Sequence, residues 1–236
     1  MGCLSGVGLV FGNLTHRNHV ELSDLATSLG ATILRPSDAP RASYLVASNV
    51  LRLPDGSDPY LVAFQLNPGL VAVSPDWLST CQAEQRQVEA SPYLLGPFSG
   101  IRVSITNFGA KERDGVVSQL KQGCATPSPE LYRTSTHLVG SKAGGNKHTH
   151  AREWGLFVVH YDWVLDCLKA GHRLDERPYN LDTYVPREPA GGATVSVYGD
   201  PARQSSRTLS SGRCGAASDA GAAAVTARQG AASIRG

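Results

Sequence analysis

A chain of 236 residues, 41% of them apolar, has room for one large folded unit or two small ones. Its 22 Lys and Arg against 20 Asp and Glu leave a net charge of +2, too small for a general polyanion binder but compatible with a local basic pocket. The longest apolar run, YLVAFQLNPGLVAV, contains Gln65, Asn67 and Pro68 and is too short to cross a bilayer. The opening MGCLSG has Gly6 where a myristoylation signal needs Ser or Thr, so no membrane partner is expected.

Residues 4–14 (LSGVGLVFGNL) open with Ser-Gly and an apolar run, the pattern of a buried strand. A second run, SYLVAS (43–48), is followed by NVLRLPDGSDP, which is rich in turn residues. DWLSTC (76–81) reads as a helix, with Ser74 expected as its N-cap and Pro75 in its first turn. QAEQRQVEASPYLLGP is polar, then bounded by prolines, and has room for a short helix. The same patterns then return in the same order as FSGIRVSITNF (98–108), THLVGS (136–141) and DWVLDC (162–167). The offsets are 94 for Gly6 to Gly100, 93 for Leu45 to Leu138 and 86 for Trp77 to Trp163. The drop of seven places extra length in the first copy, before its second helix, in the NVLRLPDGSDP stretch.

In the second copy a strand is expected at 101–106 and a helix at 110–122 with Gly123 as its stop. Strands follow near 124–126 and 136–140, then a helix near 147–153, the strand LFVVH and a last helix holding Trp163, Val164, Cys167 and Leu168. Each copy therefore alternates strand, helix, strand, strand, helix, strand, helix, which predicts an α/β unit with a parallel sheet covered on both faces. The expected units are 1–92 and 93–187. From 188 to 236 the composition shifts to Ala, Gly, Ser and Arg, and this tail is predicted to be disordered.

Trp77 and Cys81, like Trp163 and Cys167, lie four residues apart and share one helix face, as a large apolar anchor beside a small residue would. They are assigned to the structural core, together with Gly30 and Gly123 after the first helix of each copy. A unit of about ninety residues with a Ser-Gly opening strand, a Gly after the first helix, T-H-L-V in the third strand and Trp-x-x-x-Cys in the last helix resembles a BRCT repeat. Gly123, Thr136-His137-Leu138-Val139 and Trp163/Cys167 carry the resemblance in the second copy. Gly30, Ser43-Tyr44-Leu45-Val46 and Trp77/Cys81 carry it in the first. The resemblance covers about 4–184 and implies tandem BRCT repeats, each a four-stranded parallel sheet with two helices on one face and one on the other. The second copy is most similar to repeats of the topoisomerase-II-binding checkpoint scaffold family.

Thr106 is expected at the C-terminal end of a strand just before a helix, where ligands of open parallel sheets bind and free N–H groups collect. The N–H of Asn107 follows, Arg113 lies in the first turns of the helix, and Lys147 opens the next helix after SKAGGNK. These groups suit a phosphate, which needs donors and positive charge held rigidly. The plain alternative is that Thr106 caps the helix and the two cations are solvated. The resemblance implies the assembly: in phosphopeptide-binding BRCT repeats a hydroxyl, the next backbone N–H, a basic residue on the first helix and a lysine on the second hold the phosphate, and these map to Thr106, Asn107, Arg113 and Lys147. One departure stands out. The residue after the hydroxyl is often glycine in the family and is Asn107 here, which puts a side chain beside the expected ligand.

In the first copy the matching positions are Gly12, His19 and Leu61, so it is expected to bind no phosphate and to pack against its neighbour or another partner. Trp154 stands where it would flank a bound peptide or pack against the repeat. His148 and His150 lack a third ligand, and GSKAGGNK lacks the Gly-Lys-Ser/Thr ending of a phosphate loop, so no metal and no nucleotide cofactor is expected. Nothing suggests an enzyme. The resemblance implies a nuclear adaptor that reads phosphoserine or phosphothreonine on proteins of DNA repair or replication; the alternatives are DNA-end binding or a pairing module with no phosphate dependence.

Overall fold

The computed structural model describes residues 2–187; the 188–236 tail expected to be disordered lies outside the described residues. The first repeat runs β1 (Gly8–Phe11), α1 (His16–Ser28), β2 (Thr32–Leu34), β3 (Tyr44–Val46), α2 (Pro59–Leu66), β4 (Val71–Val73) and α3 (Asp76–Glu84). The second runs β5 (Arg102–Thr106), α4 (Ala110–Gln122), β6 (Thr126–Ser128), β7 (His137–Gly140), α5 (Asn146–Glu153), β8 (Phe157–His160) and α6 (Asp162–Ala170). Both sheets are parallel, in the orders β2-β1-β3-β4 and β6-β5-β7-β8. The connection between β3 and α2 is 47–58, against 141–145 between β7 and α5, so the seven extra residues fall where the offsets predicted them.

The repeated residues perform repeated tasks. Trp77, Cys81, Trp163 and Cys167 are fully buried. Each indole N–H donates to a carbonyl eleven residues on, Trp77 to Val88 at 3.1 Å and Trp163 to Leu174 at 3.0 Å, which satisfies the one polar atom of each buried ring. Gly123 is buried, and a Cβ there would lie 2.3 Å from the Phe98 ring. Gly30 corrects the core assignment: it is exposed, and glycine suits it because its φ is +86°. The Ser74 cap is also corrected. The N-cap position of α3 is Pro75, with no side-chain capping bond, while Ser74 uses its backbone N–H on Tyr93 O at 2.8 Å.

The sheet faces are buried differently in the two repeats. In the first, Leu9, Phe11, Val46 and Val73 meet Leu22, Ala26, Trp77 and Cys81 of α1 and α3. Its other face, with Val10, Leu45 and Ala72, packs on Tyr60, Ala63 and Phe64 of α2, and this core continues into Val103, Ile105, Val116, Leu120 and Trp163 of the second repeat. In the second repeat the apolar cluster under α5 is small, holding Leu138, Ala151, Val158 and Leu181 as its buried residues.

A buried ionic network seals the junction. Arg173 and Glu176, which follow α6, are 1% and 2% exposed. Arg173 Nη1 donates to Glu176 Oε1 at 2.6 Å and its Nη2 to Asp58, the N-cap of α2. Arg52 Nη2 donates to Glu176 Oε2 at 2.9 Å. His137, fully buried and stacked on Trp163, stands 3.5 Å from Glu176 Oε1. Burial opposes ionisation of Glu176, but the neutral His137 ring as an N–H donor and the Arg173 and Arg52 guanidiniums outweigh it and hold the carboxyl well below the usual carboxylate range. Burial pushes His137 down, so it is neutral. Phe64 stacks on His172 at 4.3 Å between ring centroids, completing the contact of α2 with the second repeat.

Candidate functional site

Thr106 ends β5 and pairs in register with Gly140 of β7. It is 8% exposed, and its hydroxyl makes no hydrogen bond among the described residues. It does not cap α4: the N-cap position is Gly109, whose N–H donates to Glu112 Oε2 at 3.0 Å. The plain alternative for Thr106 is thereby removed.

Asn107 has a φ of +61°, the left-handed region. That conformation explains why glycine suits this position and why asparagine, which tolerates it better than most residues, stands in. The side chain turns back, with Nδ2 donating to Lys142 O at 2.7 Å and to Gly144 O at 3.0 Å. Ser141 Oγ in turn donates to Asn107 O. Asn107 therefore ties the end of β5 to the loop that leads into α5, and its own N–H has no partner among the described residues.

Lys147 lies in the first turn of α5 and reaches across to β5. Its Nζ donates to Ser104 Oγ at 3.1 Å, to Ile105 O at 3.3 Å and to Pro129 O. Burial is the main cause that lowers its pKa from the ordinary lysine value; the nearby positive Arg113 pushes the same way, and Glu130 pushes back. Arg113, exposed in the first turn of α4, makes no ion pair among the described residues. The structure thus brings together a hydroxyl, an unpaired N–H, an ammonium and the positive field of a guanidinium at the C-terminal end of one strand. Two like charges close together are unfavourable alone and favourable around an anion. Ser104, fully buried on the same strand face as Thr106, is the member that the sequence analysis missed. Its signal was its spacing two residues before Thr106.

Trp154 is half-buried at the C-terminal end of α5, stacked on His150 at 5.5 Å with the Arg133 guanidinium over its ring at 5.0 Å. It lies two helical turns from Lys147, roughly 10 Å along the axis. His148 pairs with Asp182 at 3.0 Å, and no group of three His, Cys, Asp or Glu able to hold a metal occurs among the described residues. Two cavities of about 310 and 380 Å³ lie elsewhere, beside β8 and between the repeats. Neither is lined by Thr106, Asn107, Arg113 or Lys147, and the polar cluster is recognised by its chemistry.

In the first repeat Gly12, His19 and Leu61 occupy the matching positions. Leu61 is buried, and a Cβ on Gly12 would lie 2.9 Å from the Ala47 Cβ. The cleft there is closed by packing.

Among the described residues the chain is thus a duplicated parallel α/β unit whose second copy carries a cluster of hydroxyl, N–H and cationic groups that the first copy lacks. Residues 101–163 match the twin BRCT domain family model. The chain is 25% identical over 202 residues to the S-M checkpoint control protein rad4 of Schizosaccharomyces pombe, covering 82% of this chain and 30% of the relative. It is 27% identical over 152 residues to PAX-interacting protein 1 of Bos taurus, covering 63% of this chain and 15% of the relative. The crystal structure of Rad4 BRCT1,2 in complex with a Crb2 phosphopeptide superposes with a TM-score of 0.67 at 23% identity, over 77% of this chain and all of that one. The chain has the fold of tandem BRCT repeats. It spans less than a third of the length of these curated relatives.

Proposed function

We propose that the second repeat binds phosphoserine or phosphothreonine in a partner protein and that the chain acts as a non-catalytic, nuclear adaptor in DNA damage or replication checkpoint control. The observation that carries this reading is the meeting of the Thr106 hydroxyl, the Asn107 N–H and the Lys147 ammonium, with Arg113 at the rim. A phosphomonoester of about −1.5 to −2 charges offers three acceptor oxygens to these donors. An unphosphorylated hydroxyl offers no charge and one neutral acceptor oxygen in place of three charged ones, so the site discriminates by chemistry. The Crb2 and Mdb1 phosphopeptides bound in the Rad4 BRCT1,2 structures support the ligand class.

Fluorescence anisotropy with the Crb2 peptide in phosphorylated and unphosphorylated forms tests the reading. Preference for the phosphorylated form is expected, and equal affinities refute it. Gel shifts with 5′-phosphorylated and unphosphorylated duplex ends separate it from DNA-end binding, which would weaken steeply with salt.

A further inference from the structure

We infer that Ser104 is a positioning residue that seats the Lys147 ammonium for phosphate, a role that deepens the phosphate reading above and rests on it. Ser104 is a hydroxyl with no access to solvent in the middle of β5, a place where a buried polar group persists only with a partner. Its partner is Lys147 Nζ at 3.1 Å. An ammonium has three N–H donors and no acceptor. Two of them rest on groups fixed in the strand, Ser104 Oγ and Ile105 O at 3.3 Å. The third meets Pro129 O, in the exposed turn after β6. That third donor is the one a phosphate oxygen takes over, because its present acceptor is on a surface turn while the other two are held by the sheet.

Ser104 and Thr106 share a strand face two residues apart, about 7 Å along the strand. The seat therefore aims the lysine at the space beside the Thr106 hydroxyl. A long, flexible side chain would otherwise lose rotamer freedom on meeting the ligand, and fixing it beforehand removes that cost. The first repeat supplies an internal control. At the same offsets Ser104 corresponds to Val10 and Lys147 to Leu61, both buried and apolar. The hydroxyl and the ammonium are present together in one copy and absent together in the other, as expected if the hydroxyl serves the lysine rather than the strand.

The test uses the nearly isosteric pair Ser104→Thr and Ser104→Val, in which any penalty of added bulk is shared and only the hydroxyl differs. Ser104→Ala, which adds no bulk, is the third variant. Affinity for the phosphorylated and unphosphorylated Crb2 peptide is read by anisotropy. The seat is read by the Lys147 side-chain resonances, assigned by their loss in Lys147→Ala. Ser104→Val and Ser104→Ala are expected to lose about tenfold for the phosphorylated peptide relative to Ser104→Thr, with no change for the unphosphorylated one. The Lys147 resonances are expected to move in Val and Ala and to stay in Thr. Thr and Val variants that bind the phosphorylated peptide alike, or Lys147 resonances indifferent to the hydroxyl, overturn the inference. Should the wild type not distinguish the two peptides, the phosphate reading falls by itself, and the resonances alone then decide whether Ser104 seats Lys147.

Discussion

The two repeats share strand order and indole anchors, yet the helix between the third and fourth strands has opposite fates. In the second repeat α5 covers a small cluster of four buried residues, and its first turn carries a lysine that reaches the sheet. In the first repeat α2 is buried on Tyr60, Leu61, Ala63 and Phe64 and built into the junction. A helix that closes an interface needs apolar side chains where a binding helix needs a cation. The duplicated element is apolar and buried in one copy and polar in the other.

The variant expected to have the largest effect breaks the junction. Arg173→Ala leaves the buried Asp58 and Glu176 carboxylates with Arg52 as their one neighbouring guanidinium among the described residues, and removing one partner of such a network costs about 3–5 kcal/mol. Urea unfolding should show a correspondingly lower midpoint and separation of the single transition into two. Next comes an attempt to restore the cleft in the first repeat. Gly12→Thr forces a Cβ against Ala47 and Leu45 and should destabilise by about 1–3 kcal/mol without creating phosphopeptide binding. Thermal unfolding and anisotropy read the two halves of that expectation.

Lys147→Ala should weaken phosphopeptide binding about 10–100-fold, since a hydrogen bond to a charged group contributes about 1.5–3 kcal/mol. The melting temperature should fall modestly, because the buried Ser104 hydroxyl loses its partner. Acid should act on the junction rather than the cleft. Glu176 is held below its ordinary pKa, so its stabilising contribution is present above about pH 4.3 and is lost as the pH falls. His137 is also held down by burial, so the unfolded chain takes up its proton first, below about pH 6.5, and stability again falls with pH. Urea midpoints should therefore decline from pH 7 to pH 5; a midpoint that rises over that range would show His137 to be charged in the fold. The smallest effect is expected for Asn107→Gly, which keeps the left-handed backbone and removes only the bonds to Lys142 O and Gly144 O; roughly a threefold loss of affinity is expected, about 0.65 kcal/mol.

Much of this was legible in the sequence because it is local or repeated. The helix at 110–122, the Trp and Cys pairs and the longer first-copy loop followed from periodicity and offsets. Thr106, Arg113 and Lys147 were legible as residue types, and their meeting needed the resemblance as a guide. What stayed hidden depends on contacts between residues far apart in the chain. Arg173 and Asp58 are 115 residues apart, and Arg52 and Glu176 are 124. No spacing rule reaches that far, and an Arg or Glu in a loop looks solvated until a second unit covers it. Ser104 was hidden for the opposite reason: a serine within an apolar strand reads as filler until its partner arrives from another helix. Ser74 was misjudged because Pro75, already in helical conformation, stood at the cap position itself.

The continuous core across the junction has an inheritance consequence. Residues 93–187 made alone would uncover the His172 ring that stacks on Phe64 and leave Arg173 without Asp58. Such a half-protein would lose apolar cover and a buried charge partner together, so a shuffled or spliced descendant keeps the second repeat only by carrying the first along.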